Sequence, residues 1–330
     1  MHAQAALLSA SLSLVALPCA VTPALAQDPA AAFPSKPLTL VMPYTPGSTS
    51  DRMARVFQEG LTQELKQSVL IDYKPGASGV IANSFVVKTG ADGHSFVYTA
   101  ATSAILPAFK SDLPYDILKD MSAISLAVKD TYVLVVPATF PPNTWEEYVA
   151  YAKANPGKIN WSTVGAGGGL HLSGEWLAKV MDAKLTFVHY KGSAIAETDL
   201  LAGRIQSSPK GLASALPIIK AGKVKPIVVL TAERTPLLPG IRTVAELAAP
   251  DYEYPGWYGL LGSAATPPAI TAKLSAALAR ALKAPKLNAF WESIGAVPVG
   301  STPEEFKRLL VKEVNHWKKF VAENNIKGED

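Results

Sequence analysis

Cysteine is almost absent: the 330 residues hold one, Cys19. A single thiol excludes a disulfide framework and any zinc site built on cysteine ligands. Charge is sparse, at 18% of residues, and nearly balanced, with 31 Lys and Arg against 27 Asp and Glu for a net +4. With no local basic cluster, that bias gives no reason to expect a nucleic-acid partner. Long apolar runs are missing as well. The run at 5–17 is well short of the roughly 20 residues that span a bilayer core of about 30 Å, so no transmembrane helix is expected. What is present is an ordinary globular composition, 48% hydrophobic and 8% aromatic. Its length suggests about two domains, at roughly 100–200 residues each.

The first segment reads as an address. Residues 1–26 contain no Lys, Arg, Asp or Glu, and the apolar run ends at Ala24-Leu25-Ala26, an A-x-A cleavage pattern. A secretory signal peptide over 1–26 is therefore expected. Pro18 stands before Cys19 where a lipoprotein signal needs a small residue. Cleavage after Ala26 would remove Cys19 and leave a cysteine-free chain suited to an oxidising compartment.

Beyond residue 26 the pattern alternates. The strand-length run from Leu38 to Met42 is closed by a Pro/Gly/Ser/Thr stretch to Ser50, after which Met53, Val56, Phe57 and Leu61 recur at helical spacing. The same strand, loop, helix order returns around 69–87, 96–103, 132–155 and 159–171, with later strands expected at 185–188, 204–207 and 226–230. Three helices opened by proline, at 268–282, 285–294 and 303–325, close the chain. This alternation predicts an α/β fold with mostly parallel sheets.

Enzyme motifs fail one by one. The loop Gly165-Ala166-Gly167-Gly168-Gly169 has Leu170 where G-x-G-x-x-G needs its last glycine, and neither a P-loop nor a G-x-S-x-G elbow occurs. His94, His171, His189 and His316 are scattered, with no H-E-x-x-H. No metal, cofactor or catalytic set is expected. What remains are loops rich in Gly, Ser and Thr that follow strands and open helices, where backbone N–H donors and the helix dipole suit an anion such as a carboxylate.

At this point the residues carry a resemblance. Val41-Met42-Pro43-Tyr44-Thr45-Pro46-Gly47 with Asp51, Lys74-Pro75-Gly76-Ala77-Ser78-Gly79, Tyr190-Lys191-Gly192, Trp257-Tyr258-Gly259-Leu260 and Thr302-Pro303-Glu304-Glu305-Phe306 resemble, in order, landmarks of the Bug (TctC-type) periplasmic solute-binding proteins of tripartite tricarboxylate transporters. The resemblance implies a two-domain periplasmic-binding-protein fold, a type II-like Venus flytrap with two crossing strands. Residues 27–126 plus 257–330 would form a discontinuous first domain and 127–256 the second. It implies a periplasmic, monomeric, non-enzymatic receptor that delivers a small carboxylate to the transporter's membrane subunits.

Carried over residue by residue, the ligand site would comprise Tyr44, Thr45, Pro46, Gly47, Ser48, Thr49, Ser50 and Asp51 on one side. The facing loop would supply Val164, Gly165, Ala166, Gly167, Gly168, Gly169 and His171, with Val80, Thr102, Ser103, Tyr190 and Lys210 as further candidates. Where many members carry an Asp suited to an ammonium group, this chain has Lys210, which would attract a second carboxylate. Val80 in place of a common Asn adds apolar surface. Together they point to a dicarboxylate with an apolar aliphatic or aromatic body, such as a terephthalate-like ligand. A tricarboxylate or amino-acid ligand, and a ligand-sensing receptor partner, remain alternatives. Each nomination also has a plain structural reading: Asp51 as a helix cap, Tyr44 as packing, His171 as a polar first-turn residue, Lys210 as a solvated surface lysine.

Overall fold

A computed structural model describes residues 30–47, 49–324 and 326; the expected signal peptide lies outside the described residues. The chain lays down β1 (Leu38–Met42), β2 (Val69–Tyr73), β3 (Ser95–Ala100) and β4 (Met121–Lys129), then β5 (Tyr132–Pro137), β6 (Asn160–Thr163), β7 (Thr186–His189), β8 (Ser208–Gly211) and β9 (Val224–Val229). It ends with β10 (Trp257–Ser263) and β11 (Val297–Pro298). Helices α1 (Thr49–Leu65), α2 (Val80–Thr89) and the single turn α3 (Thr102–Ile105) follow β1, β2 and β3. Helices α4 (Trp145–Ala154), α5 (Gly169–Met181), α6 (Ser193–Leu201) and α7 (Leu212–Lys220) follow β5 to β8 in turn. The short α8 (Val244–Leu247) precedes β10, and α9 (Pro268–Leu282), α10 (Asn288–Ile294) and α11 (Pro303–Glu323) complete the chain.

The strands form a six-stranded sheet in the order β11-β4-β10-β3-β1-β2, a three-stranded sheet β8-β5-β9 and a two-stranded sheet β6-β7, with a Trp161–Ser207 bridge tying β6 toward β8. The expectation of mostly parallel sheets needs correction. Among the described strands β1-β2, β1-β3 and β6-β7 are the parallel pairs, while β10 runs antiparallel to both neighbours and β5 to both of its own. Each antiparallel pair includes β4, β5 or β10, the strands that adjoin the short passages at 130–131 and 254–256, where the chain changes sheet. The strand expected at 204–207 lies later, at Ser208–Gly211; Pro209 is tolerated there because β8 is an edge, where a missing N–H leaves no ladder bond unmade.

Burial follows the sequence periodicity. Met53, Phe57 and Leu61 of α1 are at most 1% exposed and pack with Leu38, Leu40, Met42, Phe96 and Leu278 around the six-stranded sheet. A separate core of Val133, Val135, Leu200, Leu212 and Val224 covers β5. Helix α11 opens with a capping box, Thr302 with Glu305, and buries Phe306, Leu310, Val314 and Trp317. Its far end packs Trp317 and Phe320 against Trp176 of α5. The passage from β4 to β5 takes two residues, Asp130 and Thr131, and the return runs through Tyr254 to Gly256, where the Asp130 N–H donates to the Gly256 carbonyl at 2.8 Å.

Candidate functional site

The loop after β1 is held by one carboxylate. Asp51 lies in the first turn of α1, 3% exposed, and reaches backwards: its Oδ2 accepts from the Gly47 N–H at 2.9 Å and from Arg55 Nε at 3.3 Å. Its Oδ1 accepts from the Tyr73 hydroxyl at 2.6 Å, so it is not the plain helix cap of the structural reading but the clasp joining loop, helix and β2. Burial alone would raise this carboxyl, but the bonds from Tyr73 and Gly47 and the Arg55 charge outweigh it and hold it below the usual carboxylate range. Removing the clasp gives a clear expectation. Asp51→Asn should lose about 1.5–3 kcal/mol at pH 7, the range for a hydrogen bond to a charged group. Because the folded-state value is depressed, this stability is present above the unfolded value of 3.8 and lost as pH falls through the folded one, so denaturant titrations of the two proteins should converge in acid below 3.8.

Thr45, Pro46 and Gly47 are exposed, Gly47 turning at φ 79°; Ser48 lies outside the described residues, Thr49 opens α1 and Ser50 is half-buried. Tyr44 sets its ring edge-on to Tyr98 at 6.1 Å and bonds Thr102, while burial pushes its hydroxyl up to about 12. Ser103 faces inward instead of toward the loop: its hydroxyl accepts from Thr99 Oγ1 at 2.8 Å and Asn83 Nδ2 at 3.4 Å. Val80 begins α2 after four consecutive residues, Gly76, Ala77, Ser78 and Gly79, at φ 125°, 46°, 53° and 96°. For Ala77 and Ser78 that conformation costs roughly 1–2 kcal/mol each.

The facing loop follows β6. Val164 is exposed, Gly165 and Ala166 half-buried, and Gly167, Gly168 and Gly169 buried as α5 begins. His171 supports this loop from below: Nδ1 accepts the Gly167 N–H at 3.1 Å and Nε2 lies 3.5 Å from Glu175 Oε1. The Trp161 indole donates to the Leu170 carbonyl at 2.9 Å. Tyr190 donates to Asp199 at 2.8 Å and so fastens α6; burial, with that carboxylate, pushes its hydroxyl up to about 12. Lys210 is neither solvated nor uncompensated: 6% exposed, it places Nζ 2.7 Å from Glu197 Oε2.

The two loops meet. A Cβ built on Gly165 would lie 3.1 Å from Ser78 Oγ, one on Gly192 3.5 Å from Thr45 Oγ1, and one on Gly167 3.5 Å from the Phe109 side chain. Ser78, Phe109, Gly192 and Glu175 were not among the nominated residues. Ser78 and Gly192 stand inside quoted landmarks, but Phe109 and Glu175 carry no local signal. Among the described residues no three or more His, Cys, Asp or Glu side chains are grouped to hold a metal ion. No described helix is long and apolar enough to cross a membrane.

Residues 53–326 match a known family model, that of the tripartite tricarboxylate transporter family receptor. The chain belongs to this receptor family. Among solved structures it is similar to the periplasmic binding protein BugD, with TM-score 0.84 and 27% identity over 89% of this chain and 99% of that one. It is also similar to R. palustris Rpa4515 solved with adipate, at TM-score 0.84 and 30% identity over 89% and 99% of the two chains. MatC from Rhodopseudomonas palustris with bound malate gives TM-score 0.81 and 27% identity over 88% and 100%. The fold is therefore the two-domain α/β fold of periplasmic binding proteins, and the protein is a TctC/Bug-type solute-binding protein.

Proposed function

We propose that this receptor captures a small dicarboxylate with an apolar body between its two lobes and delivers it to the membrane subunits of a tripartite transporter. The lobes are residues 27–126 with 257–330, and residues 127–256, the chain acting as a monomer in the periplasm after removal of residues 1–26. The observation that carries the reading is the seam itself. Thr45 stands against Gly192 and Ser78 against Gly165 of the glycine loop, and hydroxyls and glycine backbone on two facing sides are the kind of donors a carboxylate needs, which supports the reading. Adipate and malate on two similar proteins support the class.

Lys210 sits on β8, beside the backbone passages, already paired with Glu197. A second ligand carboxylate would share or replace that partner. Calorimetric titration with adipate, terephthalate, malate, citrate, hexanoate and aspartate tests the proposal; binding of aspartate with no signal from adipate, terephthalate or malate would sink it. Lys210→Ala should weaken adipate about tenfold and hexanoate far less, as expected for one charge-assisted bond. Glu197→Gln, which removes the competing carboxylate, should tighten adipate. Equal losses for both acids would take Lys210 out of the site.

A further inference from the structure

Between the two backbone passages lies a carboxyl with poor company. Asp130 is 4% exposed; its Oδ2 accepts a long bond, 3.3 Å, from the Tyr258 hydroxyl, and its Oδ1 has no hydrogen-bond partner. Tyrosines from both sheets seal it. Tyr258 of β10 stacks near Tyr98 at 5.6 Å and brings its hydroxyl within 3.1 Å of that of Tyr132 on β5, while Tyr132 packs on Tyr254 at 4.5 Å. The Tyr254 hydroxyl in turn lies 3.1 Å from where a Gly169 Cβ would stand, so the cluster runs unbroken from Asp130 to the glycine loop.

We propose that Asp130 is a proton-binding site built into the hinge: closure of the lobes around a ligand places a proton on this carboxyl, and opening returns it to water. The proposal rests on the reading of the protein as a two-lobed binder, and not on which acid it binds. Tyr132 and Tyr258 come from different sheets and meet at 3.1 Å over the carboxyl, so a turn at residues 130–131 and 254–256 that parts them opens a path for water to Asp130. With Gly165 against Ser78 and Gly192 against Thr45 the facing loops are shut, and in this arrangement burial pushes Asp130 up to about 7, an effect that the Tyr258 hydroxyl offsets only in part. The titratable groups facing it are Tyr258, Tyr132, Tyr254 and Tyr98, none ionised near neutrality. The neighbouring lysines turn elsewhere, Lys129 to solvent and Lys210 to Glu197.

The sign follows by linkage. A carboxyl whose value is higher in the closed form binds a proton on closing, so affinity is greatest in acid. Affinity falls by up to about tenfold per pH unit between the open-form value and about 7, then levels. Titrating adipate at pH 6 in two buffers of different ionisation enthalpy should show uptake approaching one proton per adipate in the wild type and none in Asp130→Asn, whose neutral amide has the shape of the protonated acid. Tyr258→Phe, which removes the one hydroxyl donor, should shift the levelling point upward. Equal uptake in the wild type and Asp130→Asn overturns the proposal. If adipate gives no heat, the ligand reading fails separately, and small-angle scattering of the unliganded proteins decides. The wild type should expand between pH 5.5 and 8 while Asp130→Asn does not, and identical profiles overturn the proton site.

Discussion

Trp161→Ala is expected to lose about 3–5 kcal/mol of stability and, in whatever fraction stays folded, to bind ligand more weakly. Trp161 is fully buried on β6 and is the seat of α5: a Cβ on Gly174 would come within 2.7 Å of its Nε1. Truncating a buried tryptophan removes its transfer free energy and leaves a cavity that rigid neighbours cannot close, which gives the range quoted. The Leu170 carbonyl would also lose its donor, at about 1 kcal/mol. The second effect is functional because Leu170 follows the glycine loop directly. Denaturant unfolding measures the first and calorimetry on the folded protein the second. A loss below about 1.5 kcal/mol would show that α5 does not depend on this ring.

The second large effect is where the two backbone passages meet. Gly256→Ala would set a methyl 2.1 Å from the Asp130 carbonyl oxygen and 3.1 Å from Tyr132 Cδ2. The first obstacle is backbone, and it belongs to the strand passage to which Gly256 is itself hydrogen-bonded, so relief requires separating the two passages. A loss of about 3 kcal/mol is expected, the upper end for an overpacked site. Gly240→Ala serves as the control: a Cβ there meets nothing within 4 Å, so its change should stay within about 0.5 kcal/mol. If the two variants unfold alike, the tight crossing is not a determinant of stability.

Much of the local architecture was legible in the residues. The apolar run at Leu38–Met42 and the spacing of Met53, Phe57 and Leu61 are read directly as strand and helix because each signal lies within one element. Likewise, proline at the first helical turn marked α9 and α11. What stayed hidden depends on partners far away in sequence. Nothing near Trp257 says that β10 runs antiparallel beside β3 and β4, more than a hundred residues earlier. Ser103 reads as a loop hydroxyl until Thr99 and Asn83 claim it, and Lys210 as a free cation until α6 brings Glu197 alongside. Asp130 gave no signal either, because its character comes from four tyrosines on separate strands and loops.

The place of β10 in the six-stranded sheet also fixes an order in time. A chain delivered N-terminus first, by a ribosome or an export channel, has made β3 and β4 by residue 129, yet neither hydrogen-bonds the other. The strand that joins them begins only at Trp257, and the intervening 132–229 stretch must carry β5 to β9 before it arrives. Until then β1, β2 and β3 form a fragment with an open edge, and β4 has no partner in its sheet, since β11 comes later still. The six-stranded sheet therefore cannot lock early: its assembly is a late, long-range event that waits through most of the chain's delivery.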